Sequence, residues 1–367
     1  MSGPAPHTPR GPRGSRDPEY AVVIPTLGRP SLGACLRALA AAVDAGGPPP
    51  RRIVLVDDRP PYDSTPLAVD IPDRFQALVR SIPGCAGGPA AARNTGWEAA
   101  PEPWIVFLDD DVLPGPRWAT DLAADLAAAG PATAGIQARI TVPLPQDRPP
   151  TDWERNTAGL ATSQWITADM AYRRSALEAL GGFDERFPRA FREDADLALR
   201  ALDAGWNLAI GSRRTTHPVR PAGRWVSVRT QAGNADDVLM NRLHGRGWWA
   251  RAGAPRGRLP RHLAVTAAGA GALALTAARR PRAAAVSAAL WLAGTAEFAA
   301  ARILPGPRTR DEITTMALTS AVIPPVAAWH WTRGLLRHRR ERPREPGPPP
   351  PNGTGHADRK RMDGPVR

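Results

Sequence analysis

The chain has 367 residues, of which 43% are hydrophobic and 23% are charged, and its formal net charge is +13. These proportions exclude a wholly disordered chain, and the length predicts one large domain with an appendage. The basic residues form no aromatic-interleaved patch, and no helix-turn-helix or zinc pattern is present, so no nucleic-acid partner is predicted. Residues 1–18 and 339–367 are poor in apolar side chains and rich in proline, which predicts two disordered tails.

The first part of the chain alternates short apolar runs with segments of helical periodicity. Strands are predicted at 21–24, 53–56 and 104–108, and helices at 31–43 and 90–100. This alternation predicts an α/β fold in which a mixed, mostly parallel sheet is flanked by helices. Ligands of such sheets bind beyond the carboxyl ends of the strands.

The pattern loosens further along, and residues 19–250 together form the predicted α/β domain. An irregular loop is predicted at 143–150. Further strands are predicted at 136–142 and 207–210, and further helices at 175–180, 193–204 and 226–244.

Residues 260–338 are predicted to form an Ala-rich helical region. Its apolar stretches are interrupted by Glu297, Arg302 and the pair Pro324 and Pro325, which argues against simple membrane spans. Two interpretations stay open, a membrane-associated hairpin or amphipathic pair and a helical bundle packed on the α/β domain. The apolar stretches are 262–278, 283–304 and 313–336.

Three acids, Asp109, Asp110 and Asp111, directly follow the predicted strand 104–108. Like charges this close raise one another's pKa unless a cation neutralises them. Mg²⁺ or Mn²⁺ is typically held by one or two carboxylates together with substrate phosphates, which suits a nucleoside diphosphate donor. The alternative interpretation is a polar loop or helix cap.

A second acidic pair, Asp57 and Asp58, follows the strand 53–56, where carboxylates can accept hydrogen bonds from a ribose or a base. A glycine turn at 87–88 then opens a helix that carries Arg93 and Asn94, both placed to reach a nucleotide. Taken alone, Arg93 fits a surface ion pair equally well.

Glu193 and Asp194 open a predicted helix and are candidates for a general base that takes a proton from a hydroxyl group. The alternative is that these acids only stabilise the positive end of the helix dipole. His217 follows a predicted strand and is either a further metal ligand or a structural histidine.

Five segments in this order and spacing resemble the family 2 glycosyltransferases with the GT-A fold, over about residues 19–245. The segments are 22–26 (VVIPT), 56–58 (VDD), 92–96 (ARNTG), 107–111 (FLDDD) and 193–197 (EDADL).

The resemblance implies a role for each matching residue. Asp194 is the implied catalytic base, with Glu193 as the alternate, and Asp169 and Trp165 are implied to line the acceptor site. Asp109, Asp111 and His217 are the expected metal ligands. The expected nucleotide-sugar site consists of Pro25, Thr26, Arg29, Asp57, Asp58, Arg93, Asn94, Asp109 and Asp110.

The resemblance further implies an inverting enzyme that depends on a divalent metal, Mg²⁺ or Mn²⁺. The Q-x-x-R-W signature of processive synthases is missing, so transfer of a single sugar is expected. The expected donor is a UDP-, GDP- or dTDP-linked sugar, and the acceptor a glycan or lipid-linked molecule in cell-envelope or secondary glycan synthesis. The alternatives are a nucleotidyltransferase and a non-catalytic sugar-nucleotide-binding or membrane scaffold protein.

The N-terminal residues lack the apolar core of a secretory signal peptide, which predicts a cytoplasmic catalytic domain. In the first of the two interpretations of the C-terminal region, it attaches this domain to the inner face of the cell membrane, and a membrane surface is a further expected partner.

Overall fold

The computed structural model describes residues 18–60, 63, 65–345 and 347–351. Most of the two predicted disordered tails, residues 1–17 and 352–367, therefore lies outside the described residues. Within the C-terminal tail, Arg344 forms an ion pair with Asp184, and Glu341 forms one with Arg186.

Eight strands form one sheet in the order β3-β2-β1-β4-β7-β6-β8-β5. The pairs β1/β2, β1/β4, β2/β3 and β6/β8 are parallel, and the other three pairs are antiparallel. This mixed, mostly parallel sheet confirms the predicted α/β class. The strands are Tyr20–Thr26 (β1), Arg52–Asp57 (β2), Val79–Pro83 (β3), Trp104–Leu108 (β4), Leu113–Pro114 (β5), Thr133–Thr141 (β6), Asp169–Arg173 (β7) and Asn207–Thr216 (β8).

Helices cover both faces of the sheet because alternate residues of the central strand β1 point to opposite sides. Val22 and Ile24 pack with α1 and α3, whereas Ala21 and Val23 pack with α2, α5 and α6. The helices of this part are Ser31–Asp44 (α1), Pro89–Glu98 (α2), Trp118–Ala127 (α3), Asp152–Ala158 (α4), Arg174–Leu180 (α5), Glu193–Asp203 (α6), Val226–Arg229 (α7), Gly233–His244 (α8) and Trp248–Arg251 (α9).

The structure corrects the single helix predicted at 226–244. It is divided into α7 and α8 by a 3₁₀ turn, Thr230–Ala232. The hydroxyl of Thr230 and the side-chain amide of Gln231 both donate to the carbonyl of Ser227. Such side-chain bonds compete with regular helical hydrogen bonding.

Strand β8 also extends six residues beyond its predicted end at Ile210. The second half of β8 was not predicted because its inward side chains, Arg213 and Thr215, are polar, although both are fully buried. They bind the carboxylate of Asp169 on β7, so polar contacts replace the apolar alternation typical of a strand.

Three long helices follow: Leu259–Ala277 (α10), Pro281–Ile303 (α11) and Arg310–Arg337 (α12). The helices α10 and α11 form a close antiparallel hairpin, in which Gly269 faces Trp291 and Gly294 faces Val265. The helix α12 continues across Pro324 and Pro325 and packs on α8.

Among the described helices, α11 is the one that is long and apolar enough to cross a bilayer, judged by length and composition alone. Its leucines Leu290 and Leu292 are 61% and 58% exposed.

Two glycines give a matched test of the packing: Gly96 lies within α2, and Gly159 begins the 3₁₀ helix Gly159–Thr162. A Cβ atom at Gly96 would lie 2.3 Å from Cγ1 of Val23, a core side chain on β1, whereas a Cβ at Gly159 meets nothing within 4 Å. The clash should outweigh the roughly 1 kcal/mol of helix propensity that alanine gains, because overpacking costs about 1–3 kcal/mol and carbon contacts prefer about 3.5–4.0 Å. We expect Gly96→Ala to lower the unfolding free energy in urea and Gly159→Ala to leave it unchanged or raise it. Equal stability of the two variants would contradict this packing.

Candidate active site

A cleft of about 540 Å³ lies beyond the carboxyl ends of β1, β2 and β4. These three strands are parallel, so the loops that leave them meet at one edge of the sheet. The loop before α2, the loop before α6 and the loop after β8 complete the walls. The predicted residues that line the cleft are Pro25, Thr26, Arg29, Asp58, Arg93, Asp109, Asp110 and Asp111.

The structure brings Asp109, Asp111 and His217 together, with one ligand atom of each within 4.8 Å of the others. Asp109 and Asp111 follow β4, and His217 directly follows β8. The short strand β5, which comes just after Asp111 in the chain, pairs with the end of β8 and so brings His217 close to the two acids. Burial raises the pKa of Asp111, and the nearby charge of Asp109 raises it further. Two carboxylates and an imidazole are suitable ligands for Mg²⁺ or Mn²⁺, and a cation would relieve this repulsion.

Sequence reasoning missed Arg220, which lines the cleft beside this cluster. Its Nε atom lies 2.7 Å from Oδ2 of Asp111, in an ion pair without the geometry of a directed hydrogen bond. The only signal for it is a basic residue three positions after His217. Because the guanidinium is half-exposed at the edge of the cleft, it is free to contact an anionic ligand there.

One wall of the cleft is held by the carboxylate of Asp110. This carboxylate accepts a 2.7 Å hydrogen bond from the Thr26 hydroxyl and a 3.2 Å bond from Nη1 of Arg29. The Thr26 oxygen in turn accepts the backbone N–H of Gly28. These contacts fix the loop after β1 against the loop after β4.

The two acids at the end of β2, Asp57 and Asp58, occupy different environments. Asp58 lines the cleft, where one carboxylate oxygen accepts the backbone N–H of Gly88 and the other has no partner among the described residues. Its burial raises its pKa. Asp57 instead points to Arg59, with oxygen–nitrogen distances of 2.8 and 2.6 Å, and this hydrogen bonding lowers its pKa. The predicted nucleotide contact from Asp57 therefore does not fit its position.

Arg93 joins the metal cluster to the first turn of α6. Its guanidinium donates to Asp109 at 2.9 Å and to Glu193 at 2.8 Å, and both Arg93 and Glu193 are almost fully buried. Burial raises the pKa of Glu193 to about 8, with the charge of Asp194 acting in the same direction. Asp194 is partly exposed, and burial also raises its pKa.

Arg192 fixes the start of α6. This residue adopts a left-handed conformation (φ 79°), and its Nε donates to Asp237 of α8 at 2.8 Å. Its guanidinium also lies 4.1 Å from the ring centre of Phe191 and 4.7 Å from those of Trp248 and Trp249. Contacts from α8 and α9 thus hold the residue next to the two candidate bases.

The family model described as glycosyl transferase family 2 matches residues 21–181. Residues 21–181 thus form a glycosyl transferase family 2 domain. The sequence is 29% identical over 215 residues to the pre-mycofactocin glycosyltransferase of Mycobacterium tuberculosis, an alignment that covers 54% of this chain and 42% of the relative. The chain therefore spans less than half the length of that relative.

Two solved structures show weaker similarity to the chain. One is the mannosyltransferase PcManGT from Pyrobaculum calidifontis in complex with GDP-Man and Mn²⁺, with 16% identity, a TM-score of 0.48 and coverage of 89% of this chain and 90% of that one. The other is TarS of S. aureus, with 16% identity, a TM-score of 0.38 and coverage of 63% and 41%.

Asn94 of the family 2 domain does not face the cleft. Its side-chain oxygen accepts from the backbone N–H of Phe183 and from the indole of Trp97, and its amide donates to the carbonyl of Phe183 and to Glu185. The bonds to Phe183 and Glu185 join α2 to the loop after α5. The predicted nucleotide contact is therefore replaced by a structural role.

Two predicted acceptor residues also lie away from the cleft of the family 2 domain. Asp169 is fully buried and binds Arg213, Thr215 and the indole N–H of Trp118. Trp165 is half-buried, packs against the core cluster that includes residues of α2, α5 and α6, and is not among the residues that line the cleft. The carboxylate of Asp169 thus has its partners inside the protein, and neither residue is placed to contact an acceptor in the cleft.

Proposed function

We propose that the chain transfers a single sugar from a nucleoside diphosphate donor, UDP-, GDP- or dTDP-linked, to an acceptor hydroxyl with inversion at the anomeric carbon. The observation that carries this proposal is the convergence of Asp109 and Asp111, which lie within the matched residues 21–181, with His217 at the edge of the sheet. The similarity to a curated glycosyltransferase supports the same activity.

The cleft offers matching groups for the nucleotide. Asp58 lines the cleft, and its carboxylate is a suitable acceptor for a ribose hydroxyl or a base N–H. The guanidinium groups of Arg29 and Arg220 are partly exposed on the cleft and suit the diphosphate. Gly88 lets the loop before α2 pack closely against Pro188 on the opposite wall of the cleft, since a Cβ at Gly88 would lie 2.4 Å from the carbonyl oxygen of Pro188.

We propose that Asp109, Asp111 and His217 hold a divalent cation, Mg²⁺ or Mn²⁺. When bound, such a cation neutralises negative charge that develops on the departing diphosphate. Arg93 donates a hydrogen bond to one oxygen of Asp109, which orients this carboxylate in the absence of a ligand.

Asp194 is the better candidate for the base. Glu193 is 2% exposed and bound by Arg93, whereas Asp194 is partly exposed at the same helix start. In one displacement the acceptor oxygen attacks the anomeric carbon, its proton passes to the Asp194 carboxylate, and the bond to the diphosphate breaks. Because attack and departure occur on opposite faces, the anomeric configuration inverts.

Hydrolysis of the donor tests this function without a known acceptor, because water can take the acceptor's place. UDP-glucose, GDP-mannose and dTDP-glucose, all α-linked, are incubated with the full chain and Mn²⁺ and followed by proton NMR. We expect one donor to release its sugar first as the β-anomer, before mutarotation. First release of the α-anomer, or no release from any donor, would contradict the proposal.

We further propose that the helices α10–α12 attach the domain to the cytoplasmic face of a membrane. Leucines of this region are widely exposed, and Arg279, Arg280 and Arg282 lie at the tip of the α10–α11 hairpin. Exposed apolar side chains with nearby arginines are typical of binding to anionic lipid surfaces.

Flotation with vesicles of phosphatidylglycerol and phosphatidylcholine tests this attachment. The wild-type chain should float with the vesicles. The double variant Leu290→Asp/Leu292→Asp should lose at least about tenfold in binding, because an aspartate in the apolar layer costs up to about 2.5–3.5 kcal/mol. Leu144→Asp, on an exposed leucine of the family 2 domain, is the control. Flotation of the double variant at the wild-type level would refute the proposal.

A further inference from the structure

A second cavity, of about 670 Å³, lies between α4, the loop after β8 and the helix α12; we name it the α4–α12 cavity. Its volume is within the range of roughly 300–1,000 Å³ that is typical of small-molecule sites. Arg220 lines both this cavity and the cleft described above. A molecule in the cavity would therefore be separated from Asp111 by one side chain.

The charges of the α4–α12 cavity are balanced, and most of them are already engaged. Four acids and four arginines line it. Arg302 donates to Asp152 at 2.8 Å, Arg148 binds Glu154 at 2.8 Å, and Arg224 pairs with Asp311. Because paired charges leave little net field, the cavity favours a neutral ligand over a phosphate or a carboxylate.

Two neutral side chains of the lining have no hydrogen-bond partner among the described residues. The side chain of Asn156 is exposed and forms no hydrogen bond with the described residues, and the Thr315 hydroxyl is buried without a partner. An amide and a hydroxyl each donate and accept, as sugar hydroxyls do. These groups suit a polyhydroxylated molecule.

Trp153 gives the cavity a flat apolar surface. Its indole N–H donates to the carbonyl of Arg220 at 2.8 Å, which ties the ring to the loop that carries Arg220. The other aromatic ring of the lining, Phe298, is already contacted by Arg258, Arg302 and His262. Among the described residues no aromatic ring or arginine stacks on Trp153, so its indole face can pack on the C–H face of a sugar ring.

We infer that the α4–α12 cavity, which shares Arg220 with the cleft, binds the carbohydrate part of a neutral glycan acceptor. This inference rests on the proposed function and gives it a substrate class. It moves the acceptor away from Asp169 and Trp165 to residues contributed by α4 and α12. Helices appended to the family 2 domain thereby become part of its substrate site.

Saturation-transfer NMR on the full chain tests the inference with methyl α-D-mannopyranoside, methyl β-D-glucopyranoside and methyl β-D-galactopyranoside as probes. We expect at least one of them to bind and the anionic methyl β-D-glucuronide to bind more weakly. Trp153→Ala and Asn156→Ala should each weaken the affinity by about fivefold or more, as expected for the loss of one ring contact or one hydrogen bond. Trp153→Phe keeps a ring and should retain more affinity than Trp153→Ala.

Thr315→Val and Thr314→Val form a matched pair. Both hydroxyls belong to α12, but the exposed Thr314 donates only to carbonyls of its own helix. Thr315→Val should weaken glycoside binding by about fivefold, and Thr314→Val should not change it. Absence of binding by every neutral glycoside, unchanged affinity in Trp153→Ala, or preference for the glucuronide would overturn the inference.

Donor hydrolysis by the wild-type chain separates this inference from the proposed function. Hydrolysis without glycoside binding would remove the inference and leave the function standing. Glycoside binding without hydrolysis of any donor would contradict the function, and the cavity would remain a carbohydrate site.

Discussion

Asp194→Asn is expected to lower the rate of sugar transfer by roughly a hundred- to ten-thousand-fold, which is the usual contribution of general-base catalysis. Asparagine has nearly the same size but cannot take the acceptor proton. The oxygen of Asp194 that accepts the backbone N–H of Ala195 can be replaced by the amide oxygen, so the start of α6 should keep its structure. Donor affinity should stay close to that of the wild type, and the loss should appear in kcat.

Glu193→Gln is the control for this substitution. The glutamine oxygen can still accept from Arg93, so the link from α6 to Asp109 is kept. We expect it to retain more transfer activity than Asp194→Asn. A wild-type rate in Asp194→Asn, or a lower rate in Glu193→Gln than in Asp194→Asn, would show that Asp194 is not the base.

Asp111→Asn is expected to weaken Mn²⁺ binding by more than about 100-fold. Substitutions that only touch the partners of metal ligands typically cost about 10–100-fold, and this one removes a charged ligand itself. Free Mn²⁺ is measured by electron paramagnetic resonance during titration of the protein. The expected loss follows from the position of Asp111 between Asp109 and His217.

Asp110→Asn is the matched control, because this neighbouring acid is used by Thr26 and Arg29 and lies outside the cluster. It should bind Mn²⁺ with nearly the wild-type affinity. Equal losses in Asp110→Asn and Asp111→Asn would indicate a general effect of charge, and unchanged binding in Asp111→Asn would exclude the proposed metal site.

Local sequence was sufficient for the elements that carry the cleft. The strand β4 is a run of five buried apolar residues followed at once by Asp109, so both the strand and the place of the acids could be predicted. The same holds for Asp58 after β2 and for the acids that open α6. These predictions needed only a strand end or helix start and the rule that parallel strands share their carboxyl edge.

The partners of polar residues could not be predicted, because they are distant along the chain. Asn94 finds its partner 89 residues away at Phe183, and Asp169 finds its partner 44 residues away at Arg213. A polar residue near a strand end looks the same in sequence whether it faces a cleft or pairs inside the core. Arg220 was missed for the converse reason, since only the path of the loop after β8 brings it to Asp111.

The proposed site binds a nucleotide sugar together with a divalent metal, and ligand-induced thermal stabilisation of the full chain tests this most directly. UDP-, GDP- and dTDP-sugars are each added with Mn²⁺ and then with EDTA. We expect the melting temperature to rise for one nucleotide with Mn²⁺ and to return to its starting value when EDTA is added. In Asp111→Asn the same nucleotide with Mn²⁺ should not raise the melting temperature. No rise with any of the three nucleotides, or a rise that EDTA leaves intact, would contradict the account.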